Sequence, residues 1–142
     1  MVDLEDTSTA DTEQRLTELG MALPPPPTPF GNYVEAVRIG RLGAELTVDE
    51  GRRAAETATL SALAAIRAEL GSLDRVTAVA KLGVYIATSD DFREHPQVAD
   101  GASDLLAKVF GPEMLSGRIV LGVASLPLGL PVKIEPLVEV AD

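Results

Sequence analysis

The chain has 142 residues, enough for one domain and short for two, with 22 acidic against 12 basic residues and a formal net charge of -10. One histidine and no cysteine or tryptophan exclude a disulfide scaffold, a thiol nucleophile, a cysteine zinc site and a multi-histidine metal centre. No basic patch points to nucleic acid, no apolar run reaches the roughly 18 residues of a membrane span, and the acidic opening is unlike a leader peptide, so a cytoplasmic protein is expected.

Residues 1–20 set Asp3, Glu5, Asp6, Asp11, Glu13 and Glu18 against Arg15 alone, half of the charge imbalance. Such a segment reads as a solvated, partly disordered arm. Within it Thr12–Leu19 has the pattern of a short helix, stopped by Gly20. Five of the ten prolines then fall in Pro24–Pro29. This polyproline II run either lays the helix across the body as a rigid spacer or engages a proline-binding module. The boundaries that follow are an N-terminal arm over 1–30 and a domain over 31–142.

Residues 33–39 read as a strand. Thr47 and Glu50 form a capping box, in which each side chain reaches the other's backbone amide. A helix should run from there to Leu70 and stop at Gly71, with Ala55, Ala58, Ala62, Leu63, Ile66 and Leu70 as its apolar stripe. Residues 76–87 alternate as a second strand with Val76, Ala78, Ala80, Leu82, Val84 and Ile86 on one face. The other face, with Lys81, Gly83 and Tyr85, is only partly polar, the kind often covered by another subunit. Asp90–Pro96 reads as a loop or turn exposing His95. A helix over about Ala102–Phe110, a strand over 118–124 and a strand over 132–140, interrupted at Pro136, complete the domain. This order predicts an α+β fold, one sheet with two helices on one face.

No phosphate-binding glycine loop and no serine nucleophile elbow is present. Arg118 is the residue with chemical promise. A guanidinium at the mouth of an apolar strand takes a carboxylate bidentately, or it reaches solvent or pairs with a local acid.

Several segments, in order, resemble the reactive-intermediate deaminase (Rid, also called YjgF) family. They are Gly31-Asn32-Tyr33-Val34-Glu35-Ala36-Val37, Leu46–Gly51, Gly71–Val76, Gly117–Gly129 and Pro131–Glu135. Asp100-Gly101-Ala102-Ser103-Asp104-Leu105-Leu106 resembles its chorismate-mutase-like subgroup. The resemblance implies a chorismate-mutase-like (Rid) fold with a mixed sheet, and a homotrimer with pockets between subunits. It also implies hydrolysis of imines or enamines derived from amino acids to 2-keto acids and ammonia, without metal or organic cofactor. In that reading Arg118 binds the carboxylate of a small-molecule substrate and Tyr33 lines the pocket. The family's older ribonuclease label has no support in this acidic, aromatic-poor chain.

Two departures stand out. Lys133 occupies the first acidic position of the family's closing strand, where a glutamate handles the attacking water, and an ammonium accepts no proton. Glu135 lies about 6–7 Å further along the same face. Lys133 and Glu135 are therefore the candidate catalytic residues; for Lys133 the alternatives are a salt bridge to Glu135, an anion contact, or amine chemistry. Second, Ile39-Gly40 runs almost directly into Leu42–Leu46, so about twenty residues of a family hairpin, and with them a strand, are missing by pattern. Two functions follow: an enzyme of the imine/enamine class, unchanged or repurposed for a biosynthetic pathway, or a catalytically inactive Rid-like small-molecule binder or partner protein.

Overall fold

The longest element begins where its cap is written into the sequence. In the computed structural model, which describes residues 11–26 and 38–142, Thr47 takes the amide of Glu50 at 3.2 Å and the Glu50 carboxylate returns to the Thr47 amide. Helix α2 (Val48–Leu70) follows, ended by Gly71 at φ 84°, a left-handed conformation that glycine adopts without strain. Chain order gives α1 (Asp11–Glu18), α2, β1 (Val76–Ala87), α3 (His95–Phe110), β2 (Leu115–Val123) and β3 (Val132–Val140). The sheet order is β2-β1-β3, with β2 parallel to β1 and β3 antiparallel to it. Helix α3 is the crossover between the parallel pair, and α2 packs beside it on the same face of the sheet.

Three strands are described. Of the strand expected over 33–39, residues 33–37 lie outside the described residues, and Arg38 and Ile39 belong to no strand. From Arg38 the chain turns straight into α2: Gly40 donates to the Gly129 carbonyl at 2.9 Å and Leu42 to that of Ala87 at 2.8 Å. No hairpin intervenes between Arg38 and Thr47, as the short spacing there predicts. Pro136 sits on β3, an edge strand among the described residues, where a missing N–H is tolerated.

The core lies between sheet and helices, with Val76, Val79, Leu82, Val84 and Ile86 of β1 against Leu63, Val98, Leu105, Leu106, Val109 and Phe110. Here β1 departs from strict alternation. Its register with β3 slips between Val76 and Ala78 and again between Val79 and Lys81. Each slip adds a residue and reverses the facing, so Val79, not Ala78 or Ala80, is fully buried.

Helix α3 starts at His95, seven residues before the expected Ala102, because Pro96 stands in the first turn, where its missing N–H costs nothing. His95 is accordingly half-buried rather than an exposed loop residue. Its ring meets Phe92 edge-on at 5.1 Å and lies against Gly122, where any side chain would displace it.

The arm is docked over the residues described. Leu16 of α1 is 2% exposed. Glu13 takes Nε and Nη2 of Arg67 at 3.2 and 2.7 Å and the Leu73 amide at 2.8 Å, while Asp74 accepts from the Glu13 amide at 2.9 Å. These contacts bridge more than fifty positions of sequence, so no local pattern foretells them. Residues 1–10 and the end of the proline run lie outside the described residues.

Candidate functional site

Strand pairing decides which candidate residues meet. Leu82 pairs with Arg118 and with Pro136; Gly83 pairs with Ile119 and Glu135; Tyr85 pairs with Leu121 and Lys133. Directly paired residues share a face. Leu82 is buried beneath the helices, which puts Arg118 on the helix side of the sheet. Lys133 and Glu135 share the opposite, open face with Tyr85. Within one chain, then, Arg118 does not converge with Lys133 and Glu135. Tyr33 lies outside the described residues.

Arg118 is held in place from α3. Its Nη1 donates to Asp100 Oδ1 and to Ser103 Oγ, both at 2.9 Å. Asp100 and Ser103 are three residues apart, one above the other on the helix surface that meets β2. The pair is half-exposed, with the side chains of Arg118 and Asp100 at 31% and 40%. Both bonds use Nη1, so among the described residues the edge formed by Nε and Nη2 has no partner. That edge is the fork a carboxylate takes. The same chain shows the fork in use, at Arg67 with Glu13.

The open face carries a second grouping. The Lys133 Nζ stands 6.0 Å from the centroid of the Tyr85 ring. That ring leans over Gly83, where an added Cβ would lie 3.4 Å from both the Tyr85 hydroxyl and Glu135 Cβ. No Lys133–Glu135 salt bridge forms among the described residues. Lys133 is exposed, so the single chain does not provide the burial that amine chemistry requires. Ile119, Leu121 and Leu137 share this face and are 42%, 50% and 62% exposed. Among the described residues no three His, Cys, Asp or Glu side chains cluster as metal ligands, and no helix is long and apolar enough to cross a membrane.

Known proteins place these observations. Residues 31–134 match the YjgF/chorismate mutase-like family, described as candidate endoribonucleases.

The chain belongs to the Rid/YjgF family.

Among its Rid/YjgF relatives, Protein TCP17 of Trypanosoma cruzi is 40% identical over 145 residues, covering 87% of this chain and 91% of its own. Two of the solved structures that share the fold illustrate the likeness. Atu1372 of Agrobacterium tumefaciens, of unknown function, has a TM-score of 0.81 at 31% identity, covering 95% of this chain and 96% of its own. A candidate endoribonuclease of Shewanella oneidensis MR-1 has 0.82 at 30%, covering 91% and 99%. The chorismate-mutase-like fold expected from the sequence is therefore the fold observed. The TCP17 match spans 145 positions, while 87% of 142 residues is about 124, so some twenty positions of the match have no counterpart in this chain.

Sequence reasoning did not single out Asp100, Ser103 or Tyr85. The signal for the first two was the spacing of an acid and a hydroxyl three apart in Asp100-Gly101-Ala102-Ser103. The reading of Arg118 as paired with an acid holds, but the acid is 18 positions away rather than local.

Proposed function

We propose that this Rid/YjgF protein binds a small carboxylate-bearing imine or enamine at Arg118 and hydrolyses it. The observation that carries the reading is the Arg118 fork, fixed through Nη1 and open at Nε and Nη2. Water adds to the C=N carbon, the nitrogen gains a proton, and ammonia departs, leaving a 2-keto acid. Glu135 is the proton acceptor for the attacking water, since a carboxylate accepts and an ammonium does not. Lys133 is the second candidate, as an anion contact or proton handler. Both stand on the face opposite their own Arg118, so the pocket joins Arg118 of one subunit to Lys133 and Glu135 of a neighbour in a homotrimer. The exposed Ile119, Leu121 and Leu137 supply an apolar surface for that contact. Tyr33 completes the pocket wall, and no cofactor takes part.

The same facing favours a second reading. On the Arg118 side of a single chain neither Lys133 nor Glu135 is at hand, which fits a catalytically inactive small-molecule binder. One assay separates the two: release of keto acid from an enamine generated from threonine, followed with the wild type, Arg118→Ala and Glu135→Gln. Acceleration by the wild type and its loss in both variants supports the hydrolase. No acceleration, with carboxylate binding retained, supports the binder.

A further inference from the structure

Arg118 does not present a bare positive charge. Asp100 gives Oδ1 to Arg118 Nη1 at 2.9 Å, and its Oδ2 has no hydrogen-bond partner among the described residues. A simple anion arriving at the Nε/Nη2 edge gains the guanidinium but meets the Asp100 carboxylate beside it. A ligand that carries a positive nitrogen next to its carboxylate turns that repulsion into a second contact. We propose that Asp100 Oδ2 takes the charged nitrogen of the ligand while Arg118 takes its carboxylate, so that the site selects zwitterions: α-amino acids and the protonated imines derived from them.

This rests on the reading of Arg118 as a carboxylate anchor and assigns the other half of the ligand. The same arrangement distinguishes substrate from product. A protonated imino acid satisfies both partners. The keto acid left after ammonia departs has no cationic nitrogen, meets Asp100 uncompensated and is released. Ser103 is a positioning residue, since its hydroxyl accepts from the same Nη1 at 2.9 Å and touches neither half of the ligand.

Calorimetric titration with L-2-aminobutyrate and with 2-oxobutyrate tests this, because the two share a carbon skeleton and differ in the charged nitrogen. The wild type should bind the amino acid at least about tenfold more tightly, the scale of one charge-assisted hydrogen bond. Asp100→Asn, nearly isosteric, should lose that preference by weakening the amino acid and not the keto acid. Ser103→Ala should weaken both alike and keep the preference. Equal weakening of both ligands in Asp100→Asn, or a preference that survives it, overturns the proposal and leaves Arg118 as the anchor. Undiminished binding of both ligands by Arg118→Ala, or no binding of either by the wild type, overturns the anchor reading itself.

Discussion

Replacing Gly101 by alanine sets two known effects against each other. Gly101 lies on α3 where it crosses α2, and a Cβ there would run into the backbone of Arg52, with the carbonyl carbon at 3.0 Å and Cα at 3.1 Å. Alanine gains about 1 kcal/mol over glycine in a helix interior. Overpacking costs about 1–3 kcal/mol, and its upper end applies because no rotamer moves a backbone carbonyl. The net is a destabilisation of about 2 kcal/mol, or roughly 6–8 °C in Tm for a chain of this length. The shift would also carry the adjacent Asp100 off Arg118. Thermal unfolding of both proteins at equal concentration measures the first effect. A Tm that rises by a few degrees, the outcome of helix propensity alone, would refute the close-contact argument.

Three further outcomes follow. Leu16→Ala, truncating a side chain 2% exposed, should cost about 2–4 kcal/mol in urea unfolding and expose the arm to limited proteolysis; unchanged stability would mean that α1 does not dock in solution. The backbone amide of Thr47 holds the Glu50 carboxyl below its usual 4.5, and that of Arg41 does the same for Glu45. A depressed folded-state pKa contributes stability that is present above 4.5 and lost as pH falls below it, so Glu50→Gln should flatten the acid side of the stability–pH curve; an identical curve would show that the cap is not formed. If the proposed homotrimer forms through the open apolar face, the wild type runs as a trimer in light scattering and Leu121→Asp as a monomer with the circular dichroism spectrum unchanged; equal masses for the two proteins would contradict that contact.

What the sequence made legible was local. The Thr47/Glu50 box and Gly71 fix both ends of α2 through contacts a few residues long, and they stand where the pattern put them. The last strand, expected over 132–140, likewise stands where the sequence put it. The bulges in β1 were not, because they arise from pairing with a strand sixty residues away. His95 was misjudged because its burial depends on the bare Cα of Gly122 across the domain. For the candidate site, the promise of Arg118 was visible as a charge in an apolar strand. Its separation from Lys133 and Glu135 was not, since facing is fixed within a strand by alternation but between strands only by register.

The most direct measurement is a crystal structure with L-2-aminobutyrate bound. The account predicts both carboxylate oxygens on Nε and Nη2 of Arg118, at about 2.7–2.9 Å, with Nη1 still on Asp100 and Ser103. A carboxylate seated on Lys133 at the open face of the same chain, with the Arg118 fork empty, would contradict it.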